Sequence, residues 1–249
     1  MAAPMILRGL LLPFGMLGVL WSYSVLPSFV MAAPARDISA RVMADERFKA
    51  GVLMKIFERM ETFPRAEMTQ PEFIQAEALL ALRTAEEAVL SKSSKEADRA
   101  AAVAENKVRA SLVNSPTESF LWLMLYSVAT TRNGFDSQYL SWLDRSYAAG
   151  PHEAWIALRR NRLALNILPV LSEATQRVVL SEFAEIVDAD YIDEATASLM
   201  SVGWAHRTRL LSQLIEVDVG SRQALARRLA SEGLKVSVPG VGQTVRPWW

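Results

Sequence analysis

Three arginines share one helical turn in Arg159-Arg160-Asn161-Arg162, just after Trp155. A guanidinium is a planar fork of N–H donors that fits phosphate or carboxylate. With Trp122, Tyr147 and Trp155, these arginines form the candidate binding surface, suited to phosphate, uronate or a carboxylate-bearing partner. The competing reading is a solvated face whose aliphatic stems cover apolar surface. Asp188-Ala189-Asp190-Tyr191-Ile192-Asp193-Glu194 gathers oxygen ligands of the kind calcium takes, but it lacks the glycine and terminal bidentate glutamate of an EF-hand loop. It reads better as a helix start, with Asp190 at the N-cap and Asp193 and Glu194 in the first turn. His152 and His206 are the only histidines, and neither has a second ligand at helical spacing, so no metal site is expected. The chain has no cysteine, which removes disulfides, thiolate chemistry and iron–sulfur ligation. Nor does it hold a glycine-rich phosphate loop, a dinucleotide fingerprint or a nucleophile with histidine and aspartate partners. No catalytic residue and no cofactor are expected.

The elements that must position these residues are helices. Of 249 residues, 51% are hydrophobic and 22% charged, enough apolar material for a sizeable core. Lys+Arg and Asp+Glu both number 27, so no global field attracts nucleic acid. After Ala35 the apolar spacing is three and four throughout, and no run of alternating β-branched residues claims a strand. The reading is an all-α domain over residues 36–235, an extended tail over 236–249, and a hydrophobic segment over 1–35.

That first segment carries no charge from Gly9 to Ala35 and is long enough to span a bilayer. It serves as a retained signal-anchor helix, or as a signal peptide with Arg8 as its basic head and cleavage near Val30-Met31-Ala32. Arg36, Arg41, Arg47 and Lys49 follow the apolar run while Arg8 alone precedes it, a balance that argues for the cytoplasm. The acid-free N-terminus and the diluting Asp37, Asp45 and Glu46 favour export. The expected location is the inner membrane with the helical domain in the periplasm, or the periplasm if the leader is cleaved.

The helical part repeats itself. Ser115-Pro116-Thr117-Glu118-Ser119-Phe120-Leu121 returns 35 residues later as Gly150-Pro151-His152-Glu153-Ala154-Trp155-Ile156. Each copy reads as a helix start with Ser115 or Gly150 at the N-cap, proline at the first position and Glu118 or Glu153 at the third, closing a capping box or facing the helix dipole. Such a period marks stacked helical hairpins. Others are expected from about Ile38 to Met60 with a break near Gly51, from Thr69 to Val89, and from Lys95 to Val113 after a turn at Ser91-Lys92-Ser93-Ser94. Shorter helices follow Asp190, and Trp248-Trp249 end the tail either folded back onto the domain or anchoring a partner.

The hairpins carrying Pro116, Trp122 and Leu125, then Pro151, Trp155 and Leu158, resemble tetratricopeptide-like repeats over about half the chain. The resemblance implies stacked antiparallel hairpins in a right-handed α-α superhelix. Tyr126 stands where that family carries a small glycine, so no peptide pocket is carried over. The whole also looks like exported helical proteins of bacterial envelopes. Glu118-Ser119 resembles the glutamate–serine pair of lytic transglycosylases, but Leu121-Trp122-Leu123-Met124-Leu125 continues an apolar helix where that family has a glycine-rich turn. The expected function is a non-enzymatic interaction scaffold or accessory factor in envelope or exopolysaccharide assembly. Its expected partners are envelope proteins, an anionic polysaccharide, and the membrane through residues 9–35. The alternatives are a helical glycan-acting enzyme and a small-ligand-binding module.

Overall fold

Serine, proline and glycine punctuation sets the helix boundaries in the computed structural model, which describes residues 13–23, 35–43, 46, 48, 49, 51–62, 70–91 and 93–242. The chain is all-α, with no strand among the described residues. These residues belong to two compact units. One comprises Met1–Thr117 with Ser127–Phe135, the other Glu118–Tyr126 with Asp136–Trp249.

The first unit begins with α1 (13–23), whose side chains are all exposed. No helix among the described residues is long and apolar enough to cross a membrane. Helix α2 (35–43) buries Ala35, Ser39 and Val42, one face at helical spacing, and its Arg36 donates to Glu72 at 2.8 Å. Gly51 has a φ of 76°, a left-handed conformation that glycine adopts without steric cost, and it starts α3 (Val52–Glu61). Leu53, Phe57 and Met60 form the buried stripe of α3. Helix α4 (Pro71–Ser91) is buried continuously from Ala76 to Leu82, all round rather than on the single stripe its spacing suggests, and Val89 is exposed. Thr69, the expected cap of α4, lies outside the described residues.

Ser93 caps α5 (Ser94–Asn114): its Oγ accepts from the Glu96 amide, and the Glu96 carboxylate accepts from the Ser93 amide at 3.3 Å. Ser93→Ala removes this reciprocal pair. It is expected to lower the unfolding free energy by about 1 kcal/mol, read as an earlier urea midpoint with unchanged slope. Helices α4 and α5 pair closely, consistent with the small side chains of Ala78, Ala85 and Ala104 at buried positions. Lys107 then joins Glu61 and Glu77 at 3.1 and 3.3 Å.

Helix α6 (Ser119–Asn133) belongs to both units, Glu118–Tyr126 to the second and Ser127–Phe135 to the first. In the second unit a 3-10 turn, Ser137–Tyr139, capped by Asp136, leads into α7 (Leu140–Ala149). There follow α8 (Ala154–Asn166), α9 (Glu173–Asp188, capped by Ser172), α10 (Ile192–Met200), α11 (Arg207–Ser212) and α12 (Val219–Ser231). Residues 236–242 of the expected tail fold back. Val238 is buried and Arg222 of α12 donates to the Pro239 carbonyl at 2.9 Å. Trp248 and Trp249 lie outside the described residues.

The repeated segments have the same backbone. Ser115 and Gly150 adopt φ,ψ of −136°,71° and −148°,73°, and each amide donates to the carbonyl of a buried serine, Ser111 or Ser146. In both copies the proline opens a two-residue turn and the helix begins at the residue after glutamate. The expected capping boxes are therefore corrected. A residue before proline is held away from the α region, so Ser115 and Gly150 stay non-helical and the helix starts later. Glu153 becomes the N-cap of α8, with no side-chain cap bond, its carbonyl accepting from Ile156 and Ala157 at 2.9 Å. A third link, after α9, also runs through a two-residue turn, Ala189-Asp190. Here Asp190 is not the N-cap but closes α9 in the left-handed conformation, φ 64°, while Tyr191 donates back to the Ile186 carbonyl at 3.1 Å.

Candidate functional site

Helix geometry divides the three arginines. Arg160 falls four residues after Ile156 and four before Ala164, on the buried face of α8, whereas Arg159 and Arg162 are exposed. Trp155, 43% exposed, rests its ring 4.9 Å from that of Phe120, the residue 35 positions earlier. Tyr147 is buried and Trp122 half-buried, with the Arg145 guanidinium 4.8 Å over the Trp122 ring. Of the six candidate residues, the structure brings Tyr147 and Arg160 together in the interior. Trp155, Arg159 and Arg162, at positions i, i+4 and i+7, form an outer stripe of α8.

Arg160 has no exposed surface, and every edge of its guanidinium is engaged. Nε donates to Glu182 Oε1 at 3.0 Å and Nη2 donates to the same oxygen and, at 3.0 Å, to the Gly150 carbonyl. Nη1 donates to the Ser146 carbonyl at 2.7 Å and to Ser119 Oγ at 3.2 Å. Tyr147 lies under the guanidinium, 4.2 Å from ring centroid to carbon, and its hydroxyl donates to Glu182 Oε2 at 3.0 Å. Asn161 donates to the Val179 carbonyl at 2.8 Å and to Glu182 Oε2 at 3.3 Å. Helices α6, α7, α8 and α9 are thus tied by one closed polar cluster.

Burial pushes the Glu182 carboxyl above its ordinary value near 4.5, while Arg160 and the hydrogen bonds from Tyr147 and Asn161 pull it back. The Tyr147 phenol is raised well above 10.0, first by burial and then by the Glu182 charge. A carboxyl raised by burial is a candidate general acid. Glu182, however, has both oxygens engaged and a side chain only 3% exposed, so its chemistry is to join helices. The close packing continues at Gly150, where an added Cβ would meet Ser119 Cβ at 2.7 Å.

The remaining candidates are dispersed. His152 is exposed, 3.4 Å from Glu185 through Nδ1, and His206 ends a 3-10 turn. In the acidic run, Asp188 accepts from the Asp218 amide at 2.9 Å and Asp193 pairs with Arg228 at 2.7 Å. No group of three or more His, Asp or Glu side chains disposed around a metal occurs among the described residues.

Glu182 and Ser146 carried no motif, and Ser119 and Asn161 stood only inside the Glu118-Ser119 pair and the arginine run, without the roles they hold here. The available signal was a glutamate on an apolar stripe: Val179, Glu182 and Ile186 are spaced for one face of α9. Comparison with known protein families, curated proteins and solved structures finds no match to this chain.

Proposed function

We propose that this protein is a membrane-attached, non-enzymatic interaction scaffold of the cell envelope, its helical domain exported and serving envelope or exopolysaccharide assembly. The observation that carries this reading is α1. Phe14, Met16, Leu17, Val19, Leu20 and Trp21 of that helix are each more than 60% exposed, inside a segment free of charge from Gly9 to Ala35. An apolar surface of this kind needs a nonaqueous partner, and the uncharged segment is long enough for a bilayer to supply it.

The reading of the remainder as a divergent tetratricopeptide-like superhelix draws on the shared backbone of the two repeats. Residues one period apart also touch: Phe120 against Trp155, and Tyr147 hydrogen-bonded to Glu182. Repeats that cover one another's apolar flanks leave their outer surfaces for docking, and the stripe of Trp155, Arg159 and Arg162 is one such surface. Its chemistry suits envelope proteins or an anionic polysaccharide.

The test is fractionation of the full chain beside a variant lacking residues 1–35, with a compartment-sensitive reporter fused at the C-terminus. The full chain is expected in the membrane pellet after an alkaline wash or, if the leader is cleaved, in the periplasmic fraction, with the reporter active outside the cytoplasm in either case. The shortened chain is expected in the cytoplasm. A full chain that remains cytoplasmic and soluble would sink the proposal.

A further inference from the structure

The segment that follows α12 is built like a bound peptide. Gly233, at φ 80°, ends the helix: its amide donates to the Ala230 carbonyl and that of Leu234 to the Leu229 carbonyl, each at 3.0 Å. The chain then doubles back, and by Pro239 it has reached Arg222, about 15 Å along the axis from the helix end. On the way Leu234 and Val236 are half-buried and Val238 is buried, while Lys235 and Ser237 are exposed. That alternation is an extended strip with one face down. A tight turn finishes it, the Val241 amide donating to the Val238 carbonyl at 3.2 Å across Pro239 and Gly240.

Side chains hold this strip in place. Among the described residues, Lys235, Val236 and Ser237 make no backbone–backbone hydrogen bond. The polar tie to α12 is Arg222, whose Nη1 donates to the Pro239 carbonyl at 2.9 Å. The fit there is close, since a Cβ added at Gly240 would meet Nη1 at 2.5 Å. Backbone groups not bonded to the helices lose no partner on detaching, so the strip can leave as a unit once Val238 is lifted. Beside it, Arg222 Nε is buried and has no hydrogen-bond partner among the described residues. An idle buried donor favours a peptide that brings a second acceptor.

We propose that residues 234–241 are a self-ligand occupying a peptide-binding seat on α12, and that an extended segment of a partner protein takes their place. This inference rests on the scaffold reading and names the partner's chemistry: apolar side chains two residues apart, with a carbonyl or carboxylate for Arg222. Extended peptides are recognised through alternate side chains in this way. A helical partner, whose side chains repeat at three and four, does not match that spacing.

Fluorescence anisotropy with a labelled peptide of residues 233–242 tests this on the full chain. Val238→Asp places a charge at the buried anchor and is expected to lift the strip while leaving the helical circular dichroism unchanged. That variant is expected to bind the peptide at least about tenfold more tightly than the parent, whose tethered copy competes at an effective concentration on the order of millimolar. Gly240→Ala crowds Arg222 and must hold φ 70°, so its affinity is expected to fall between the two. Arg222→Ala in the Val238→Asp chain is expected to weaken binding several-fold. A peptide carrying the Val238→Asp change is expected to bind none of them.

No peptide binding by Val238→Asp, equal binding by the parent, or loss of helix in Val238→Asp would each overturn the proposal, the last by showing that the strip is part of the core. A parent that sediments as a dimer beside a monomeric Val238→Asp chain would give the seat to a second copy instead. Fractionation is read separately. A cytoplasmic chain whose variant binds the peptide would remove the envelope assignment and keep the peptide seat, and an exported chain whose variant does not bind would do the reverse.

Discussion

Glu182→Leu is expected to lower the unfolding free energy by about 3–5 kcal/mol, because it leaves the buried Arg160 guanidinium without its carboxylate partner. The substitution removes the acceptor for Arg160 Nε and Nη2, the Tyr147 hydroxyl and one Asn161 donor in a single step. Glu182→Gln costs less, since the amide keeps one carbonyl acceptor and burial already disfavours the carboxylate charge. The reciprocal change, Arg160→Leu, behaves differently with pH. It leaves a carboxyl that can neutralise itself by taking a proton.

The sign follows from the raised Glu182 carboxyl. The folded protein holds that proton more tightly than the unfolded chain, so stability from this group is complete below the ordinary value near 4.5. It is lost as pH rises through the folded-state value. Arg160 is the main influence pulling that value down, so its removal raises it further and moves the loss to higher pH. Arg160→Leu should therefore be closest to the parent protein in mild acid and fall further behind toward neutrality, whereas Glu182→Leu stays poor throughout. Denaturant unfolding from about pH 5 to about pH 8 separates the two. Parallel pH curves for both variants would show that the pair is not coupled as described. The double variant should recover part of the summed loss, since neither buried charge is then left without its partner.

The second large effect belongs to Gly150→Ala, with an expected loss of about 1–3 kcal/mol. The φ of −148° is extended backbone open to any residue, so the cost is not conformational strain. It is space. A new Cβ would overlap the Glu153 carboxylate and approach Ser119 Cβ at 2.7 Å and Oγ at 2.9 Å. Glu153 is exposed and can swing away, but Ser119 is buried and donates to the Ser146 carbonyl at 2.8 Å, so it has little room to yield. Ser119→Gly in the Gly150→Ala background removes the obstructing atoms and should restore less than the full loss, because the Ser119 hydroxyl bonds go with them. Thermal unfolding of the single and double variants measures both quantities. A Gly150→Ala protein as stable as the parent would show that α6 shifts freely.

Much of the architecture was legible before the coordinates. The turn at 91–94, the break near Gly51 and the matched prolines at 116 and 151 mark element boundaries in the sequence. What misled was the register of the proline link. Sequence alone does not separate a proline in the first helical turn from one opening a turn before it, and here the non-helical residue before proline decided for the second. The site was legible in fragments. Arg160 and Tyr147 stood out by type, but their grouping with Arg159 and Arg162 followed adjacency along the chain, and the helix sends those two outward. Glu182 carried a readable mark, a charge on an apolar stripe.

The dual membership of α6 bears on how the molecule can be divided. A fragment ending at Thr117 forfeits Ser127–Phe135, including Arg132 with its contacts to Asp98 and Glu105, while one starting at Asp136 forfeits Ser119 and the Leu121–Tyr126 share of the other interior. Neither cut yields a self-sufficient half. Proteases and truncation libraries should accordingly find no viable seam between positions 117 and 136, and whichever half is made alone should be recovered aggregated unless α6 travels with it whole.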